Sequence, residues 1–412
     1  MRHLAMPLAL LVTLAGTACA GGPTTPDTAA VESARFLKAS GQRSRSIVIK
    51  CRNDDAALRA AKACGGRWVR KIRGTRLHVL DLLGGDPAKA ISRCRSEQGV
   101  EHAEEDAEVF AAGSPVAPAP LAGNVFERLN APAAWAVTQG EGATVAVLDT
   151  GLDADHPAFG GKVAVAANFT GTASADDMHG HGTHLAGLVA GAPGSALAPG
   201  AKLLVGKVLG DDGTGITSAV TDGIVWAANQ GADVILLGLI TRAPSQALED
   251  AVAFAEGKGA LVVAAAGNDH SAAKVHPAAY PEVLAVGALT LDGGLAPFST
   301  FGGHWVDIGA PGAAIPGERP NHPHALQGQG AALSGTSVAA ALVAGEAALL
   351  YATTDRSALA AAGDDEARRL AARAAMRQVV RTRIETRGVI DSRSPWWFLR
   401  FGRIDVGRAL TP

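Results

Sequence analysis

From about Asn124 onward the apolar residues come in short, nearly unbroken runs: Val145–Leu148, Leu203–Val208, Val234–Leu239, Leu261–Ala265, Val283–Ala288 and Val306–Ile308. Such runs predict strands buried on both faces, as in a parallel sheet. Between several of them the spacing becomes helical. Ile216, Val220, Ile224 and Ala227 share one face over Ile216–Ala227, as do Leu248, Ala251, Val252 and Ala255 over Ser245–Ala255. Strands alternating with helices predict βαβ crossovers, hence an α/β domain with a doubly wound, mainly parallel sheet and helices on both faces. In such sheets chemistry sits beyond the carboxyl ends of the strands.

The first third of the chain has a different texture. Ser46–Cys51 reads as a strand, and Asp54–Cys64 as a helix with an acidic start and Gly65 after it. Arg67–Arg73 and Arg76–Leu82 follow as strands, Asp86–Gln98 as a helix closed by Gly99, and Val100–Phe110 as a last strand. That βαββαβ order is the small α+β ferredoxin-like arrangement, which by itself says nothing about function. It spans residues 46–112 and leads through a Pro-rich linker, 113–123, into the large domain, 124–412.

Ahead of it, Arg2 and His3 precede the apolar Leu4–Leu14 and the small residues Ala15–Ala20, the pattern of an export leader over residues 1–20. The apolar run is too short to span a bilayer. Ala18-Cys19-Ala20 fits a small-x-small cut, whereas Gly16-Thr17-Ala18-Cys19 resembles a lipoprotein box with Gly in place of the usual Leu. On the second reading the signal is residues 1–18 and Cys19 carries a lipid; on either, residues 21–45 form a flexible tether, which would suit an anchored protein. The expected location is outside the cytoplasm: secreted, periplasmic or anchored to the envelope.

Composition narrows the function classes. The 412 residues hold 37 basic and 39 acidic side chains, so no global field draws nucleic acid or acidic partners. Aromatics are 4%, so the core is built from Ala, Val, Leu and Ile, which lets layers approach closely. Besides Cys19 the cysteines are Cys51, Cys64 and Cys94, enough for one disulfide and one free thiol of unspecified pairing. Their spacing fits no zinc site.

Four places carry candidate chemistry. The strand TVAVLD ends in Asp149 and turns through Thr150-Gly151, fitting either a turn cap or an active-site acid. In DDMHGHGTHLAG, His181 heads a helix of small residues, His179 reads as a loop histidine and His184 as a packed one. His179, His181 and His184 with Asp176 and Asp177 also raise a metal reading, but H-E-x-x-H is absent. In LSGTSVAAALVAG, Ser337 opens a helix, beside free backbone N–H groups and the positive end of the helix dipole. An isolated serine there is ordinarily an N-cap. The buried strand LVVAAAGN ends in Asn268, a turn residue or a side-chain donor to a developing oxyanion.

The order Asp149, His181, Asn268, Ser337 in VLDTG, HGTHLAG, AAAGN and GTSVAAALVAG resembles the subtilisin-like serine proteases. The resemblance runs from about Asn124 to Leu410 and takes in ALAPG at Ala196–Gly200, KVLGDDGTG at Lys207–Gly215 and FGRIDVGRAL at Phe401–Leu410. It reaches back to VEHAEEDAEV, the end of a unit similar to the family's inhibitory prodomain. It implies a serine endopeptidase on protein or peptide substrates, with Ser337 as nucleophile, His181 as base, Asp149 as its orienter and Asn268 in the oxyanion hole. It also implies a self-processing zymogen whose prodomain is an intramolecular inhibitor, cut near Phe110–Gly113. Substrate is expected between Gly213-Thr214-Gly215 and Gly238-Leu239-Ile240, with Asp269 at the rim of the pocket for the residue before the cut.

This chain departs from the family pattern in places. Gly238 replaces a usual Ser, Leu236 a usual Asn, and Ala341 and Leu342 the usual Pro and His. Ala158 stands where an Asp calcium ligand is usual, so no cofactor and no tight calcium site of that kind are expected. The alternative reading is an envelope-anchored, catalytically inactive binding protein of the same fold. No nucleic-acid partner is expected, and membrane contact only through a lipid on Cys19.

Overall fold

The computed structural model describes residues 45–116, 124–328, 332–390 and 399–410. The leader, Cys19, almost all of the tether and residues 117–123 of the linker lie outside them. Strands β1 (Ser46–Cys51), β2 (Gly66–Lys71), β3 (Leu77–Leu82) and β4 (Val100–Glu105) form an antiparallel sheet in the order β2-β3-β1-β4. Helices α1 (Asp54–Ala63) and α2 (Pro87–Ser96) begin at the capping carbonyl of Asn53 and carboxylate of Asp86, which accept from Ala56 N and Ala88 N. Ile47, Ile49, Leu80 and Leu82 pack with these helices. The opposite face, with Val48, Leu77 and Val79, packs on the large domain together with Ile72.

Two expectations change here. Val100–Phe110 is not one strand: β4 stops at Glu105, and β5 (Glu108–Ala111) belongs to another sheet. The break is fixed by Asp106, whose carboxylate accepts from Ser46 Oγ, Thr217 Oγ1, Ser218 N and Ser218 Oγ at 2.7–3.0 Å. The bond from Ser46 keeps Asp106 at the end of β1, while those from Thr217 and Ser218 carry the chain past it onto a helix start of the large domain. The Pro-rich linker begins as strand β6 (Ser114–Val116), which pairs antiparallel with β17 (Ala332–Ser334), itself paired on its other side with β16 (Ile315–Pro316). Pro115 is tolerated because β6 is an edge strand.

Among the described residues, the main sheet of the large domain has nine strands: β7 (Thr144–Asp149), β8 (Val163–Asn168), β9 (Lys202–Lys207), β11 (Val234–Leu237), β13 (Leu261–Ala265), β14 (Leu284–Leu289), β15 (Ile308–Pro311), β18 (Val389–Ile390) and β19 (Gly402–Ile404). Their order is β18-β19-β15-β14-β13-β11-β7-β9-β8, parallel except for the β18/β19 pair. Alternate residues feed two cores. Val145, Val147, Val234 and Leu236 point to one, while Ala146, Leu148, Ile235 and Leu237 point to the other. Helices α3 (His181–Ala190) and α6 (Thr336–Thr353) cover the first face, and α4 (Thr217–Asn229) and α5 (Gln246–Gly257) the second. The predicted doubly wound arrangement is therefore observed. Helix α6 is long and apolar enough to cross a membrane, but it lies buried in the first core.

Candidate active site

Asp149 ends the interior strand β7, His181 is the first residue of α3, and Ser337 is the second residue of α6. All three side chains are buried. His181 Nδ1 is 2.6 Å from Asp149 Oδ1, and His181 Nε2 is 3.0 Å from Ser337 Oγ. With Nδ1–H donating to the carboxylate, Nε2 is left as the acceptor facing the hydroxyl. Asp149 Oδ1 also accepts from Thr150 N at 2.8 Å.

The backbone permits this only with glycine at two points. Gly151 has φ +108°, and a methyl group there would lie 2.3 Å from Ala175 O. A methyl on Gly182 would lie 2.2 Å from Gly151 O, so α3 starts in backbone contact with the turn that follows Asp149.

Asn268 follows β13. Its Oδ1 accepts from Thr336 N (2.9 Å) and Thr336 Oγ1 (3.0 Å), while Thr336 Oγ1 receives Gly267 N (2.9 Å). The amide is thereby oriented, and its Nδ2 donates to the carbonyl oxygen of Ala112 at 2.8 Å. Ser337 N donates to the same oxygen at 3.3 Å. Two donors thus converge on one carbonyl beside a hydroxyl and an imidazole, the arrangement that can stabilise a tetrahedral oxyanion during acyl transfer.

The carbonyl belongs to a segment crossing the site as an added strand. β5 lies between β10 (Thr214–Ile216) and β12 (Leu239–Ile240), antiparallel to both, with Thr214 opposite Phe110, Gly215 opposite Val109, Leu239 opposite Ala111 and Ile240 opposite Phe110. Ala111 N donates to Gly213 O (3.0 Å) and Ala112 N to Gly238 O (2.8 Å). All six residues expected to hold an extended chain therefore border one. The next residue, Gly113, touches the reacting groups: a methyl there would lie 2.6 Å from His181 Nε2 and 2.9 Å from Ser337 Oγ. Asp269 stands apart. Its carboxylate is gripped by Arg242 at 2.6 and 3.3 Å.

The histidines do not gather as a metal centre. His184 is fully buried, its Nε2 donates to Ile315 O at 3.1 Å, and burial pushes its pKa down to about 3. His179 is also lowered by burial. Among the described residues the metal-ligating atoms that converge are those of Asp153, Asp176 and His322.

Three residues have supporting roles that the sequence reading missed, among them Asp177, weighed there only as a metal ligand. Asp177 accepts from Thr150 Oγ1, Gly180 N, Thr183 N and His179 N at 2.8–3.1 Å, tying the turn after Asp149 to the start of α3. The signal was present, since a carboxylate four residues ahead of a helix suits its free N–H groups. Thr336 orients Asn268. Lys207, buried, donates to Thr150 O and to Asp176 O and pairs with Asp211.

The Subtilase family profile matches residues 140–391. The chain is 40% identical over 238 residues to thermitase of Thermoactinomyces vulgaris, covering 56% of this chain and 82% of thermitase. It is 41% identical over 231 residues to subtilisin BL of Lederbergia lenta, covering 55% and 82%. Among solved structures, fervidolysin of Fervidobacterium pennivorans, described as a keratinolytic enzyme related to subtilisin, superposes with a TM-score of 0.72 at 23% identity. That match covers 90% of this chain and 61% of fervidolysin, and it shows a shared subtilisin-like fold. With the profile spanning more than half of its length, the chain belongs to the subtilase family of serine-type endopeptidases.

Proposed function

We propose that the chain is an exported subtilase zymogen that cuts its own Ala112–Gly113 bond. Ser337 Oγ attacks the Ala112 carbonyl carbon as His181 Nε2 takes its proton, and His181 then gives that proton to the departing Gly113 nitrogen. Asp149 holds the tautomer and stabilises the charged imidazole. Asn268 Nδ2 and Ser337 N receive the oxyanion, and losing one such donor costs about 10²–10³ in kcat. Residues 46–112 act as the inhibitory prodomain. Foreign substrates would add as a strand between Gly213–Gly215 and Gly238–Ile240, reading mainly backbone.

The observation that carries this reading is the Ala112 carbonyl, which sits on both donors with Ser337 beside it. The leader over residues 1–20 supports export, with a lipid on Cys19 as the anchored variant. No calcium is proposed beside His156-Pro157, because Ala158 offers no carboxylate.

The test is maturation in a host lacking other proteases. Wild type should yield an N-terminus at Gly113 and label with a fluorophosphonate in the presence of chelator. The Ser337→Ala chain should stay joined across Ala112–Gly113 and fail to label. A Ser337→Ala chain that matures normally would overturn self-processing. An unlabelled wild type would favour the inactive binding protein.

A further inference from the structure

The three cysteines after Cys19 share one core in the N-terminal unit. Cys51 ends β1, Cys64 follows α1 as its C-cap, and Cys94 lies in the last turn of α2, each buried. Two of the sulfurs converge on one turn. Cys64 Sγ donates to Ala61 O at 3.3 Å and Cys94 Sγ to Ala60 O at 3.5 Å, neighbouring carbonyls near the end of α1. Cys94 is pushed well up from the ordinary thiol range, first by burial and next by the Cys64 thiol beside it, with Cys51 a lesser influence. Cys51 is raised to about 11, again mainly by burial. Buried protonated thiols of this kind are poor nucleophiles. Oxidation therefore belongs to the folding chain, or to moments when the end of α1 opens.

We propose that Cys64 and Cys94 form a disulfide that fastens the end of α1 to α2, leaving Cys51 as a reduced core thiol. The bond forms by exchange with a small or protein disulfide. The Cys64 thiolate attacks it and releases one thiol, and the Cys94 thiolate then attacks the Cys64 sulfur and releases the second. The protein gives up two protons and two electrons, which the oxidant carries away as two thiols. The leader read at residues 1–20 would deliver the chain to a compartment where such oxidants prevail.

A consequence for activity follows and rests on the zymogen reading. A unit of this size has little core to spare, and a bond closing a loop of about 30 residues narrows its unfolded ensemble. The oxidised unit then opens less often and holds the cleft longer after scission.

Two measurements separate these claims. The full-length Ser337→Ala chain is reduced, refolded with oxidised glutathione, alkylated in denaturant and peptide-mapped. The expected product is a Cys64 peptide joined to a Cys94 peptide, with Cys51 alkylated. Cys51→Ser should keep the link and Cys64→Ser should abolish it. A link to Cys51, glutathione retained on Cys64, or three alkylated thiols would overturn the bond. Next, wild-type chain is allowed to cut itself with and without reductant, and peptide hydrolysis is followed. Activity should emerge about tenfold more slowly from the oxidised chain. An equal rate with the link present overturns the inhibitory consequence alone. Absence of any self-cutting counts against the zymogen reading, while the peptide map on Ser337→Ala still decides the bond.

Discussion

The two faces of the central sheet are completed in different ways. Among the described residues, the core under α3 and α6, the helices that begin at His181 and next to Ser337, contains none before Val125. The core under α4 and α5 takes in Val48, Ile72, Leu77, Val79, Val109 and Ala112. Their helix starts differ in the same way. α3 is held by Asp177 from its own domain. α4 begins on Asp106, and α5 on Glu104, which accepts from Ser245 Oγ (2.7 Å), Gln246 N (2.8 Å) and Ala247 N (3.0 Å). Lys50–Asp250 and Arg70–Asp222 ion pairs add to that border. One face is therefore self-sufficient. The other takes part of its apolar closure and a carboxylate at each helix start from residues 46–112, although Ser245 Oγ of the large domain also caps α5 by accepting from Leu248 N at 3.2 Å.

That contrast can be broken most sharply at Asp177. Asp177→Ala leaves three buried donors and one half-buried donor without an acceptor, at about 1–3 kcal/mol for each buried group left unpaired. We expect at least about 3 kcal/mol lost in urea unfolding of the Ser337→Ala chain, and a matching fall in activity of the otherwise wild-type enzyme. A stability within error of the parent would mean that the first face is not held from within.

On the borrowed side, Glu104→Ala combined with Asp106→Ala removes the carboxylate from both helix starts and leaves Ser245 to cap α5. Each cap is worth about 1 kcal/mol, so the cut unit should inhibit about 10–10²-fold more weakly. Turnover by enzyme freed of it should not change. Inhibition constants measured against a peptide substrate decide this, and equal constants would show that the caps are incidental to holding the unit.

Acid should strike the self-contained face through His184. Its folded pKa is lowered to about 3, whereas the unfolded chain takes up the proton near pH 6.5. The stability it supports is complete above about pH 6.5 and is lost as pH falls toward 3, by about 1.4 kcal/mol per unit. Unfolding of Ser337→Ala at pH 7, 5 and 4 measures the slope, and His184→Asn should flatten it.

The smallest effect is expected at the rim. Arg242 neutralises Asp269, so Arg242→Ala should raise the preference for Lys over Leu before the cut by about threefold in kcat/KM, fading with added salt. Equal salt response for both substrates would remove Asp269 from the rim.

What could be read from the sequence was local. Asp149, His181, Asn268 and Ser337 each stand at a strand end or helix start marked by its own Gly-containing motif, and the resemblance to the subtilisin-like proteases, not periodicity, brought the four together. The apolar runs likewise announced strands covered on both faces, because alternate residues serve two cores. The missed features depend on partners far along the chain. Nothing within Val100–Phe110 signals a break, since Asp106 finds Ser218 112 residues later. Ser114–Val116 reads as linker because its pairing partner, Ala332–Ser334, lies over 200 residues away. Asp177 entered only as a candidate metal ligand, because three of its four donors are backbone N–H groups, which no residue pattern displays.

One continuous thread, β5 through Ala112 and Gly113 into β6, crosses the whole cleft. While that thread is whole, the occupant of the cleft is tethered, and its local concentration is independent of how much protein is present. Breaking Ala112–Gly113 would split it unevenly. The short β6 end stays attached to the large domain and needs only to swing aside, whereas β5 and everything before it becomes a separate molecule. From then on occupancy obeys mass action. The onset of activity would depend on dilution: a crowded population would stay silent after every chain had been cut, and a dispersed one would switch on.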